Sequence, residues 1–365
     1  MSMVERPRLP ISTASEPADR TRDLADAVQA ASARRTPLRI VGGDTKAFYG
    51  RCVDGDRLDL SGHRGIVAYE PSELVITARA GTPLVEIERL LFANRQMLAF
   101  EPPVLGEGST LGGVVASGLA GPRRPFAGAV RDSVLGVTVL NGKGEALRLG
   151  GVVFKNVAGF DGFRLMAGGL GCLGVLLDVS IRVTPIPAAE LSRSFEIDWD
   201  RAQSQITALM RRPLPLSAAA HDGTRLHLRL SGAQGAVDQA AREIGGHPTP
   251  EGLWRDIRDR RLGPLTAPRL WRLSVPRTAR LPDLPGRWVR DWAGAEIWLE
   301  SDARAERLHA LAAKAGGHAT LYRGAATGEA VFTPLPPGLL ALHRRLKAAF
   351  DPAGVFNPGR MYEGL

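Results

Sequence analysis

A chain of 365 residues with 44% hydrophobic and 23% charged side chains can build two or three buried cores. No apolar run nears the roughly 20 residues of a membrane-spanning helix, and the opening MSMVERPRLPISTASEPADR has neither the apolar centre nor the cleavage site of a secretory signal. A cytoplasmic protein with no transmembrane segment is therefore expected.

The formal charge of +9 invites a nucleic-acid reading, which the distribution of charge argues against. Only five of the 47 basic residues are lysines (46, 143, 155, 314 and 347), and the arginines are spread along the chain instead of clustering with aromatics. No nucleic-acid partner is expected; a basic docking face for an acidic protein or anionic lipid stays open. Cys52 and Cys172 are the only cysteines, too few for a disulfide framework, and no C-x-x-C pair occurs. The seven histidines (63, 221, 227, 247, 309, 318 and 343) show no ligand spacing, so no metal site is expected.

Ser15 is placed to cap a helix over 17–33, with Leu24, Ala25, Val28 and Ala31 on one face. Residues 38–41 read as a strand ending in Gly42 and Gly43, and short strands follow at 57–61, 66–70 and 74–80. A helix comes next, with Pro83 in its first turn and Leu84, Ile87, Leu90 and Leu91 at helical spacing. The stretch 101–133 is rich in Gly and Pro but holds a short apolar helix at 111–117. It reads as backbone lying against a ligand, not as a linker. A hairpin spans 134–140 and 146–149 around the turn N-G-K-G, and the glycine run 167–174 feeds a strand at 175–183.

From about 190 the order becomes β-α-β-β-α, with strands at 191–197, 216–220 and 225–230 and helices at 199–210 and 233–244. Strands at 269–275, 295–300 and 318–323 with a helix at 302–314 read as a second, looser copy. The expected class is α+β: a first domain over 1–187 in two subdomains (about 1–100 and 101–187), and a ferredoxin-like α/β cap over 188–330. Residues 331–365, with a helix at 339–350, are a segment returning to the first domain.

A diphosphate wants several backbone N–H donors converging on it, and bulky side chains on the loop would block the approach. V-G-G-D-T-K (41–46) suits such a cradle, with a hydroxyl from Thr45 and a charge from Lys46; a plain strand-to-helix turn would use the same residues. G-E-G-S-T-L-G-G (106–113) sets Ser109 and Thr110 at a helix start, oriented for an anion or simply capping the helix. G-L-G-C-L-G (169–174) satisfies the pattern G-x-G-x-x-G, yet a strand and not a helix follows it, so a nicotinamide-type Rossmann site is rejected.

In order and spacing, V-G-G-D-T-K, G-E-G-S-T-L-G-G-V-V-A-S-G (106–118), R-D-S-V-L-G-V-T-V-L-N-G-K-G (131–144) and M-A-G-G-L-G-C-L-G-V-L-L-D-V-S-I-R-V-T-P (166–185) resemble the FAD domain of the vanillyl-alcohol-oxidase, or PCMH-type, flavoproteins. F-D-P-A-G-V-F-N-P-G-R (350–360) resembles the tail of that family's 2-hydroxy-acid dehydrogenases. F-K-N-V-A-G-F-D (154–161) and the short length are similar to the small FAD-binding subunits of bacterial glycolate oxidases, the E subunits of D–E–F complexes. The likeness is strong over 38–187 and 346–361 and weak over 190–330.

The resemblance implies that Gly42, Gly43, Asp44, Thr45 and Lys46 form a pyrophosphate loop and that Ser109, Thr110, Gly112 and Gly113 touch the phosphates. Ala116, Ser117 and Gly118 would pass close to the flavin. Gly168, Gly169, Gly171, Gly174 and Val175 would line the FAD, and Asn357 and Arg360 would stand where the tail returns to its ring. The first loop has no histidine for a covalent link, so non-covalent FAD is expected, and Cys172 reads as packing.

Oxidising a 2-hydroxy acid needs a base, a hydride path and a cation for the carboxylate. Arg323 and Arg360 are the carboxylate candidates, while His221 and His318 are only guesses for the base. The H-x-G-D-G-N-x-H-like cluster of the family's larger subunit is missing, which puts catalysis by this chain alone in question. Two readings stay open. In one, the chain takes part in oxidising glycolate, or a similar small 2-hydroxy acid, to glyoxylate, with electrons passing to an iron–sulfur subunit. In the other, it is a non-catalytic flavin carrier or assembly scaffold for a larger homologous FAD subunit. Either would allow peripheral attachment to the inner membrane through the complex. A reductase of the same fold fed by NADPH is disfavoured by the tail F-N-P-G-R.

Overall fold

Val175–Arg182 is buried along most of its length, with Val175, Leu177, Val179 and Ile181 on one face, as befits a strand inside a sheet. In the computed structural model it pairs antiparallel with Val75–Arg79 on one side and Val134–Leu140 on the other, and Ile66–Glu70 and Ala146–Gly150 form the edges. The structure describes residues 17–152, 161–281, 283–326 and 328–365. The Ser15 cap and residues 154–160 of the F-K-N-V-A-G-F-D motif lie outside them. Helix Leu84–Ala93 lays Leu84, Ile87 and Leu91 on the sheet, and Leu111–Ser117 adds Leu111, Val114 and Val115 to the same core.

The first helix is Thr21–Arg34, not 17–33. Ala18 pairs with Arg64 as extended chain, and the Asp19 carboxylate accepts the Thr21 N–H, so the helix starts only after Arg20. Leu38–Val41 pairs parallel with Asp56–Asp59, and Phe356 of the tail bridges to Leu38. Two four-residue helices inside the glycine-rich stretch, Arg124–Ala127 and Val130–Ser133, were not expected, because so short an element shows no periodicity.

The second half folds onto one eight-stranded sheet. Its first copy runs His247–Pro248, Ala189–Glu196, Arg225–Gly232, Leu216–His221 across the sheet, which is fourth, first, third, second in chain order. The second copy runs Arg287–Asp291, Glu296–Glu300, Leu270–Ser274, His318–Arg323, the same order reflected. The copies join through their second strands at His221 and Arg290. Strand Arg287–Asp291 was missed by sequence reading; its charged ends hide a central Val289 that is fully buried.

Buried polar contacts weld the halves together. Glu101 accepts from Arg123 and from Arg229 of the strand Arg225–Gly232, and Arg123 reaches on to Glu190 at 2.7 Å. The Trp292 indole donates to the Gly121 carbonyl at 2.9 Å. Burial alone would raise the Glu101 pKa, but the Arg229 and Arg123 cations outweigh it and hold the carboxyl below its ordinary range. The group therefore stabilises the fold above the ordinary carboxylate pKa, and that contribution is lost as pH falls through the depressed folded value. Arg229→Met is expected to cost about 3 kcal/mol in urea unfolding at neutral pH, because it strips a cation from a buried carboxylate. The gap to wild type should close on acidification.

Candidate functional site

The strand Leu38–Val41 releases into a loop whose first two positions, Gly42 and Gly43, have no room for side chains. A β-carbon on Gly43 would coincide with the Gly108 carbonyl, and one on Gly42 with the Thr110 hydroxyl. The loops 42–46 and 106–110 are thus in direct contact, and Thr45 Oγ1 and Ser109 Oγ tie them at 3.1 Å. Asp44 takes φ +54° in the left-handed region. Its carboxylate is neutralised by Arg39 at 2.9 Å and Arg57 at 3.6 Å.

Within this loop the backbone donors are unused. Among the described residues, nothing accepts a hydrogen bond from the N–H groups of Gly42, Gly43, Asp44, Thr45 or Lys46. Residues 42–46 are half-buried or exposed, so water can take these donors in the free chain, and a run of them along a groove wall is available to an anion. Lys46 has no carboxylate partner among the described residues, and burial pulls its ammonium down to about 8. Free amides around an uncompensated cation suit a diphosphate.

The start of helix Leu111–Ser117 is different. The Leu111 N–H donates to Thr82 O at 3.0 Å and the Gly112 N–H to Ala80 O at 2.7 Å. The Thr110 hydroxyl caps the Gly113 N–H at 3.3 Å. These first three amides are engaged by protein, so this helix end behaves as a capped helix. Gly112 serves close packing on Ala80.

One groove of about 550 Å³, open to solvent, collects many of the expected residues. Gly42, Gly43, Asp44, Thr45, Lys46, Thr110, Gly113, Ala116, Ser117, Asn357 and Arg360 line it, joined by Ile40, Val41, Ala47, Tyr49 and Leu170. Ser109, Gly112, Gly118, Gly168, Gly169, Gly171, Gly174 and Val175 are not in its wall. Gly168 and Leu170 donate to Val115 O and Ala116 O, so their segment runs along the end of helix Leu111–Ser117, where Gly118 touches Gly168. Gly169, Gly171 and Gly174 border a neighbouring hollow of about 200 Å³, and Val175 is fully buried in its strand.

Asn357 clamps the groove together. Its side chain accepts from Ile40 N–H at 2.8 Å and donates to Leu170 O at 2.7 Å, joining the first strand to the third glycine segment. Arg360 donates to the carbonyls of Lys46, Ala47 and Tyr49 and so fixes the exit of the first loop. Arg323 is outside the groove wall; it donates to Leu265 O and Ala267 O, and its guanidinium lies 5.6 Å from the Phe48 ring. His221 bonds Ile197 O and the Gly223 N–H, and His318 is exposed at a strand start, so neither guessed base reaches the groove.

Tyr49, absent from the sequence reading, marks where the groove meets the second half. Its ring packs 5.5 Å from Tyr322 and 6.1 Å from Phe332. Behind it Arg272 is paired with Glu296 at 2.6 Å, and the Trp298 indole donates to the same carboxylate. The aromatic pair Phe48-Tyr49 directly after the glycine loop was the available signal. Among the described residues no cluster of metal-binding side chains occurs, and no helix is long and apolar enough to cross a membrane. Gly43→Ala is expected to force the two loops apart and lower stability by about 2 kcal/mol, read from the urea midpoint.

Two family descriptions match the chain: an FAD binding domain over residues 17–150 and the C-terminal domain of FAD linked oxidases over 297–361. It is 48% identical to the glycolate oxidase subunit GlcE of Escherichia coli over 95% of this chain and 99% of that one. It is 29% identical to the glycolate oxidase subunit GlcD of Bacillus subtilis over 43% of this chain and 33% of that one. The solved structure of an alkyldihydroxyacetonephosphate synthase superposes with a TM-score of 0.64, at 15% identity, over 94% of this chain and 75% of that one, a likeness of fold alone. With a glycine loop of free amides, a clamped tail and 48% identity to one of its members over nearly the whole of both chains, the chain belongs to the PCMH-type family of FAD-linked oxidases.

Proposed function

We propose that this chain is the FAD-binding subunit of a glycolate oxidase complex, acting in the oxidation of glycolate, or a similar small 2-hydroxy acid, to glyoxylate. The observation that carries the proposal is 48% identity to a glycolate oxidase subunit over nearly the whole of both chains. The partners proposed are a larger homologous flavin subunit, supported by the partial match to a second glycolate oxidase subunit, and an iron–sulfur subunit that takes up the electrons. Bound FAD would supply the two-electron acceptor and the outlet to one-electron carriers.

The chain's own share is to bind and orient. The free N–H groups of 42–46 and the Lys46 ammonium support a grip on the diphosphate, with Ala116 and Ser117 offering a small-residue wall. Asn357 and Arg360 hold the loops that form the groove.

One observation favours the carrier reading for this subunit when alone. The groove is lined from 40–49, 110–117, Leu170, Asn357 and Arg360, with no contribution from the described residues of 188–330, and aromatic side chains pack behind Tyr49. A substrate chamber between the halves would need that packing to open or a partner to complete it.

Two measurements test these readings. In an anaerobic titration of the purified, FAD-loaded chain with glycolate, the carrier reading expects the visible flavin band to persist, whereas bleaching would assign oxidation to this chain alone. With the whole complex, bleaching is expected, and its absence would overturn the glycolate assignment. Lys46 generates the second. Its free ammonium titrates at about 8 and would be driven to the charged form by a diphosphate. FAD affinity should therefore be constant below that pH and fall as pH rises through it, and Lys46→Met should bind more weakly with a flat profile.

A further inference from the structure

We propose that Lys347 is a positioning residue for the flavin groove, holding the tail and the third glycine segment at the spacing the cofactor requires; this rests on the FAD reading above.

Helix Pro337–Phe350 is an unusual support for a ligand site. Leu339 and Leu342 are exposed, and Lys347 is the helix's single buried residue. Burying an ammonium is costly unless every proton finds an acceptor. Here Nζ donates to Cys172 O at 2.8 Å and to Phe356 O at 2.6 Å, and it forms an ion pair with the Asp351 carboxylate at 2.9 Å. Two carbonyl acceptors and one counter-charge thus compensate the buried ammonium.

The three acceptors belong to three different pieces. Cys172 sits in the glycine segment 169–174. Phe356 is the tail residue that bridges to Leu38, at the start of the strand feeding the first loop. Asp351 closes the helix and accepts the N–H groups of Val355 and Phe356, which shapes the turn into the tail. Asn357, which clamps Ile40 to Leu170, is flanked by two of these contacts: Lys347 grips the carbonyl just before it, and the Cys172 segment lies across from it. Lys347 acts through the chain neighbours it grips, Phe356 next to Asn357 and Cys172 next to Gly171. The ammonium therefore helps set the distance between two walls that also meet through the Asn357 side-chain amide and through the Cys172 thiol, 3.7 Å from the Asn357 carbonyl.

The test compares FAD affinity with stability. Lys347→Met keeps the bulk of the stem but leaves Asp351 buried without its cation. The double variant Lys347→Met/Asp351→Asn removes that orphaned charge as well. FAD binding is followed by quenching of flavin fluorescence, the surroundings of the bound flavin by its visible circular dichroism, and stability by thermal unfolding of the cofactor-free chain. The expected result is FAD binding weakened about tenfold in both variants, the equivalent of one charge-assisted hydrogen bond, with an altered flavin dichroism. Thermal stability should recover in the double variant. If affinity recovers together with stability, or if both folded variants bind FAD within about twofold of wild type, where no charge-assisted bond has been lost, Lys347 is merely structural and the inference is overturned. If only the double variant folds, its affinity decides. Failure of the wild-type chain to bind FAD would overturn the FAD reading instead.

Discussion

A carbonyl oxygen of Gly108 fills the place where a β-carbon on Gly43 would stand, and the groove follows from that contact. Two loops from distant parts of the chain can touch backbone to backbone only if one presents no side chain. Their closeness leaves the N–H groups of 42–46 without protein partners along one wall. Lys46 then stands among donors with no anion among the described residues to balance it, and burial makes its charge expensive. The protein holds unsatisfied donors and a destabilised cation where a diphosphate would satisfy both. Preorganisation of this sort keeps binding affinity from being spent on ordering the loop.

The tail completes what the first half begins. Phe356 and Asn357 extend the small parallel pairing of Leu38–Val41 and Asp56–Asp59, and Arg360 gathers the carbonyls at the loop exit. The residues that shape the groove are thus separated by more than 300 positions, as the Ile40–Asn357 bond illustrates. Long-range closure of this sort makes the site dependent on the whole chain being folded, since no local segment contains it. The second half joins by buried ion pairs at Glu101 and by aromatic packing behind Tyr49, and its described residues lie behind the groove without lining it.

Much of this was legible in sequence. The strands 38–41, 66–70 and 175–183 and the helix at 111–117 announced themselves by apolar residues and glycine punctuation, because each packs against a single core. The alternating order of the second half was also readable, and the reflected strand order of its two copies gives that reading a geometric form. What stayed hidden had physical causes. The first helix begins late because Asp19 and Ala18 make tertiary contacts that no local propensity records. At the site, spacing could mark 106–113 as an anion-binding helix start, but it could not show that Thr82 and Ala80 take up those amides. Arg323 was chosen from its place near the end of a strand, and only the fold reveals that two carbonyls hold it. Tyr49 and Lys347 act through neighbours remote in sequence, so neither belongs to a motif.

Amide hydrogen exchange across residues 41–47, followed with and without FAD, tests the central claim most directly. Donors that lack protein acceptors should exchange fast in the cofactor-free chain and become strongly protected when FAD binds, while the amides of Leu111 and Gly112 stay slow throughout. Exchange at 42–46 that is slow from the start, or unchanged by saturating FAD, would contradict the account.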